Sequence, residues 1–185
     1  ATGNYPGRAR NIDELRADIV KAKSFIPGTH RLNLHEIYGE FGGKSVDRNQ
    51  VGPEHFAGWI QWAAEQGMKL DFNSTSFSHP LSGSLSLSNP DPAIREFWIE
   101  HTMRCRAVAE EMGKAQGDPS IMNVWVHDGS KDMTVNRMLY RELLKDSLDR
   151  IFAVEYRHMK DCIESKVFGI GLESYTVGSN DFYIG

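Results

Sequence analysis

Apolar residues recur along this chain with two alternating periods. Asn11 and Glu14 make a helix-capping pair, and Leu15, Ile19 and Ala22 follow on one helical face, a helix that Pro27-Gly28 stops. Residues 31–38 then read as a short strand, with apolar positions at 32, 34 and 37. Gly52-Pro53 opens a second helix whose stripe is Phe56, Trp59, Ile60 and Ala63, ending at Gly67. Residues 69–73 read as a second strand. Residues 74–89 are rich in Ser, Gly and Pro and predict a long excursion, the kind of loop that often carries function. Asp91-Pro92 caps a long helix reaching about residue 113, and residues 120–126 form a third strand turned by Asp128-Gly129. A helix over about 136–155 and a fourth strand over 161–168 complete the pattern.

Strands that alternate with helices imply a parallel sheet with helical crossovers. The predicted class is α/β, as either a small doubly wound sheet or about four β/α units of a partial (β/α)8 TIM barrel. A complete barrel typically takes ~250 residues, and this chain has 185. No GxGxxG or GxxxxGK[ST] follows any strand, so a nucleotide-binding fold has no local support. The lone Gly169-Ile170-Gly171 is a weak signal.

Charge narrows the function classes. A net charge of −4 and a pI near 6.0 disfavour a general nucleic-acid binder. Cys105 and Cys162 are the two cysteines and form no CxxC pair, which excludes a disulfide scaffold and a cysteine zinc knuckle. No apolar run approaches the length of a membrane span, and no signal peptide opens the chain. The absence of an initiator Met and the abrupt close on Phe182-Tyr183-Ile184-Gly185 suggest a piece of a longer protein.

Candidate chemistry sits at the C-terminal strand ends, where parallel α/β folds collect their active sites. His35 ends the first strand, Phe77 and His79 follow the second, Trp125 and Asp128 end the third, and Glu164 and Lys166 lie on the fourth. Glu164 and Lys166 are two residues apart and so face the same side. A carboxylate and an ammonium pointing together into a barrel centre are costly unless paired or metal-bound. A structural salt bridge or an exposed edge would explain them as well as a functional site. A histidine such as His35 is most often a hydrogen-bonded core or rim residue, and Trp125 alone suits core packing. Phe77, in a Ser-rich loop, needs a cover and leans towards a pocket. His127 and Asp128 are adjacent and face opposite ways, which argues against joint metal ligation.

Several longer motifs resemble the L-rhamnose isomerase family over the whole chain. They are Ala1-Thr2-Gly3-Asn4-Tyr5-Pro6-Gly7, Arg31-Leu32-Asn33-Leu34-His35, Leu70-Asp71-Phe72-Asn73, Phe77-Ser78-His79-Pro80, Met122-Asn123-Val124-Trp125 and Glu164-Ser165-Lys166. The runs Phe168-Gly169-Ile170-Gly171 and Glu173-Ser174-Tyr175-Thr176-Val177-Gly178-Ser179-Asn180 match it most closely. His127 departs from the family pattern, where many members are expected to carry Pro.

The family is similar in fold to xylose isomerase, a metal-dependent (β/α)8 barrel. The resemblance therefore implies that residues 1–185 are part of a single barrel catalytic domain and supply its second to fifth strands. It implies interconversion of L-rhamnose and L-rhamnulose with two divalent cations, Mn²⁺ expected. Glu164 would ligate one metal, and Lys166 would hydrogen-bond the oxygen on C1 as the catalytic residue. His35 would contact the sugar, Phe77 and Trp125 would form apolar walls, and Ile37 would meet the sugar's methyl end. A homotetramer in the cytoplasm, binding a small-molecule sugar and neither nucleic acid nor membrane, is what the family suggests. The other metal ligands are expected beyond Gly185, so the chain by itself is expected to be inactive. Two other readings stand beside this one. The first is an isomerase or epimerase of another sugar on the same barrel. The second is a non-catalytic half-barrel.

Overall fold

In the computed structural model, the structure describes residues 6–129, 136–165 and 176–184. Helix α1 (Ile12–Lys23) starts at Asn11, whose side chain accepts the Glu14 amide at 2.9 Å, while Glu14 reaches back to the Arg10 amide at 2.7 Å. Strand β1 (Arg31–His35) follows. It is shorter than predicted, because residues Glu36–Tyr38 turn into a 3₁₀ helix. A 3₁₀ turn at Pro53–Phe56 leads into α2 (Ala57–Glu65), then β2 (Lys69–Ser74). The predicted excursion over 74–89 begins one residue later, because Ser74 ends β2, and from residue 75 on it has neither helix nor strand. Helix α3 (Pro92–Gln116) begins with Asp91 capping the Ala93 amide and ends at Gly117 in the left-handed region (φ 64°).

Strand β3 (Ser120–Val126) matches its predicted bounds. Helix α4 (Arg137–Phe152) stops three residues short of expectation, and β4 (Met159–Ser165) starts two residues early. A short helix α5 (Asn180–Ile184) packs against the end of β4, with Ser165 donating to Asn180 at 2.8 Å. Among the described residues no helix is long and apolar enough to cross a membrane.

All strand pairs are parallel, and the sheet order is β1-β2-β3-β4. A doubly wound sheet reverses its strand order at a switch point. Here the order follows the chain without reversal, as in a sector of a (β/α)8 barrel.

The period of two sorts each strand into two faces. Leu34, Leu70, Phe72, Met122 and Val124 are buried in one core with Phe56, Trp59, Trp98, Val108, Met112 and Leu144 from the helical layer. The opposite, inner face carries Asn33, His35, Asp71, Asn73, Asn123, Trp125 and Glu164. Register aligns His35 with Asn73, Asn73 with Asn123, and Trp125 with Glu164.

Two buried contacts lock the helices to the sheet. Arg106 on α3 forks onto Asp161 of β4 (2.8 and 2.9 Å) and donates to the carbonyls of Ile151 and Val154. Gly113 lets α3 meet the start of β4 closely. A Cβ there would fall 1.6 Å from the His158 carbonyl oxygen, which is backbone and cannot swing aside.

His101 is wholly buried beneath the sheet ends, with its ring nitrogens 3.0 and 3.1 Å from the carbonyl oxygens of Arg48 and Thr75. Burial pulls its pKa from 6.5 down to about 4, against those carbonyls.

Two stability outcomes follow from these contacts. Gly113→Ala is expected to destabilise the fold by about 2–3 kcal/mol in urea unfolding, the range for an overpacked site. His101 binds fewer protons folded than unfolded. Its contribution is therefore complete above pH 6.5 and is lost on acidification towards pH 4, by a few kcal/mol at most (on the order of 1.4 per unit). Unfolding curves across that window, compared with His101→Gln, should show a flatter pH slope in the variant.

Candidate functional site

The C-terminal strand ends bring several of the predicted residues together on the inner face. Phe77 lies in the loop after β2 with 43% of its surface exposed, and the Trp125 ring meets it edge-on at 5.4 Å. The cover that the sequence demanded for Phe77 is therefore Trp125, which is itself half-buried. Next to Trp125 in the register, Glu164 projects from β4 and accepts a hydrogen bond from Asn123 Nδ2 at 2.5 Å. His35 at the end of β1 is half-buried. Burial lowers its pKa below 6.5, while the Glu164 charge acts to raise it. The net lowering leaves its ring neutral at neutral pH.

Not every predicted residue joins this group. Ile37 is 49% exposed in the 3₁₀ turn after β1 and lines a separate cavity of about 220 Å³ with Ile12, Leu15 and Tyr38. Lys166 lies outside the described residues, as do Gly169-Ile170-Gly171 and the Glu173-Ser174-Tyr175 part of the second long motif. His79 stacks on Phe97 (4.9 Å) and bonds Asp47 at 2.9 Å, so it is part of the packing around α3.

His127 and Asp128 do not act as a metal pair. His127 Nδ1 lies 2.7 Å from Ser76 Oγ, and Nε2 lies 3.2 Å from the Gly83 carbonyl. Asp128 is wholly buried and accepts four hydrogen bonds from the amides and hydroxyls of Ser86 and Ser88. Asp128 thus staples the long loop to the end of β3.

Three residues near the site, Glu36, Arg48 and Thr75, were not singled out by the sequence. Glu36, the neighbour of His35, has no exposed surface. It pairs with Arg48 at 2.6 Å and accepts from the Thr75 amide at 3.1 Å and from the Thr75 hydroxyl. Burial raises its pKa, opposed by the Thr75 hydrogen bond and the Arg48 charge. Nothing local marks this carboxylate, because its partners lie 12 and 39 residues away. Asn123 was visible as a polar residue between apolar Met122 and Val124, the signature of an inner-face position.

A hard oxygen donor such as the Glu164 carboxylate suits Mg²⁺ or Mn²⁺. Among the described residues, however, no three His, Cys, Asp or Glu side chains converge to hold an ion. Glu164 by itself does not make an ion site among the described residues.

The family model described as L-rhamnose isomerase (RhaA) matches residues 1–185. The chain is 83% identical over 185 residues to an L-rhamnose isomerase of Bacteroides thetaiotaomicron. It is 55% identical over 187 residues to that of Rhodopirellula baltica and 54% over 184 to that of Mannheimia succiniciproducens. These matches cover 98–100% of this chain and 44% of each relative, so the chain spans less than half the length of the curated relatives it matches. Among solved structures, a D-psicose 3-epimerase with D-tagatose from Clostridium cellulolyticum H10 is similar at a TM-score of 0.49 and 15% identity, over 78% of this chain and 43% of that one. With its whole length matched by the family model and by relatives of up to 83% identity, the chain belongs to the L-rhamnose isomerase family.

Proposed function

We propose that this chain is the sugar-facing segment of a longer aldose–ketose isomerase that interconverts L-rhamnose and L-rhamnulose, residues 1–185 being part of a single (β/α)8 barrel domain. The observation that carries this reading is the convergence of His35, Phe77, Trp125 and Glu164 at the C-terminal strand ends, in a chain 83% identical to a named L-rhamnose isomerase.

Each residue is assigned a task in this reading. Phe77 and Trp125 stack on the C–H face of the sugar and exclude water. Neutral His35 exchanges a hydrogen bond with a sugar oxygen and assists ring opening. Asn123 holds the Glu164 carboxylate in orientation, which leaves Glu164 to serve as a metal ligand. Glu164 would hold, in part, divalent cations (Mn²⁺ in this reading), which would supply Lewis-acid polarisation of the sugar oxygens when bound. Lys166 is assigned to the oxygen on C1, and Ile37, two residues past His35 in the chain, to the methyl end. In the aldose-to-ketose direction the C2 hydrogen passes to C1 as hydride while the O2 proton is passed on to O1, so nothing leaves the sugar, and the aromatic walls shield the transfer from solvent. The same reading makes the full-length protein a cytoplasmic homotetramer.

Isomerisation of L-rhamnose by the full-length protein with added Mn²⁺ tests this directly. L-rhamnulose should form, and in D₂O it should carry little solvent deuterium at C1. No turnover would overturn the assignment, and full deuterium incorporation would overturn the hydride step. Glu164→Gln should weaken Mn²⁺ binding by at least about a hundredfold, read by calorimetry, and abolish turnover.

A further inference from the structure

Phe77 stands in a loop that has neither helix nor strand, and the next residue, Ser78, takes a left-handed conformation (φ 58°) rare for a residue with a side chain. Something other than regular structure must hold that wall of the site. The short 3₁₀ turn Arg48–Gln50, between β1 and α2, makes contacts that do so.

Three consecutive residues at this turn each reach a different place. Asp47 caps the turn, accepting from the Arg48 amide at 2.7 Å, and its carboxylate lies 2.9 Å from His79 Nε2, two residues past Phe77. Asn49 donates to Glu100 on α3 at 2.9 Å. Between them, one guanidinium nitrogen of Arg48 donates to Glu36 at 2.6 Å and to the Thr75 carbonyl at 2.7 Å, and the other donates to the Phe77 carbonyl at 3.1 Å. Glu36, the far end of this bridge, follows His35 directly in the chain.

We propose that Arg48 is a positioning residue of the sugar site, its planar fork fixing the Phe77 wall at a set distance from His35 by bridging the carboxylate beside His35 to the carbonyls of Thr75 and Phe77. The assignment rests on the isomerase function proposed above. Arginine suits the task because its rigid donors serve the carboxylate and both carbonyls at once. Lysine keeps the charge opposite Glu36 but is a point donor on a flexible stem. Arg48 touches no reacting atom. Its effect reaches the substrate through the wall it holds.

The test uses the full-length isomerase with Arg48→Lys, Phe77→Ala and the double variant. Arg48→Lys should stay folded, raise the KM for L-rhamnose about tenfold, the range for a disturbed apolar contact, and leave kcat within about threefold. Its Mn²⁺ affinity should match the parent. The double variant should have the KM of Phe77→Ala alone, since Arg48 acts through Phe77. An unchanged KM, additive losses in the double variant, or a fall in Mn²⁺ affinity in step with KM would each overturn the proposal.

A second readout needs no substrate. The ¹⁹F signal of 4-fluorophenylalanine at position 77 should shift or broaden in Arg48→Lys, and an unchanged signal overturns the clamp. If the parent protein makes no L-rhamnulose, the isomerase assignment fails on its own, and the ¹⁹F comparison still decides whether Arg48 holds Phe77.

Discussion

The organisation of this protein depends on one constraint, the sidedness of a parallel sheet covered by helices on one face. A strand offers its side chains to two surfaces in strict alternation. Once Leu34, Leu70, Phe72, Met122 and Val124 are committed to the helical layer, their neighbours have no choice of direction. His35, Asn73, Asn123, Trp125 and Glu164 must share the other surface. Parallel pairing then brings them to similar heights. The site is a consequence of where the core is.

The same logic explains what could be read in advance. Strand β3 was legible to the residue because its alternation is clean and its flanks are turn-forming. The inner-face candidates His35, Phe77, Trp125 and Glu164 were legible because strand ends in such folds collect chemistry. The end of β1 was misread. Ile37 and Tyr38 continue an apolar pattern, but the chain turns after His35 into the 3₁₀ helix that begins with the buried Glu36. A buried carboxylate is tolerable only with its charge paired and its lone pairs satisfied, and those partners come from Arg48 and Thr75. No local pattern announces a pairing across loops. The early start of β4 has a similar origin. Met159 packs into the core, yet it is flanked by His158 and Lys160, which mask the strand signal.

Polar groups at the strand ends divide into two kinds. Asp128, His127 and Glu36 are enclosed and saturated with partners, and they stabilise loops. His35, Trp125 and Glu164 keep surface open to the inner face. The first kind fixes the frame, and the second is available to a ligand. The distinction separates His127 and Asp128 from His35 and Glu164, which the sequence presents together as polar residues at the ends of strands.

The strictly sequential strand order also bears on how the chain is made. Among the described strands, each pairs with the strand preceding it and the strand following it in synthesis, so these pairings form between segments that emerge from the ribosome in succession. Each new βα unit completes the edge left by the one before and presents a fresh edge to the next. Assembly of the sheet can therefore track translation, each emerging strand covering the edge that the strand before it leaves open, while among the described strands the outer edge of β1 stays unpaired.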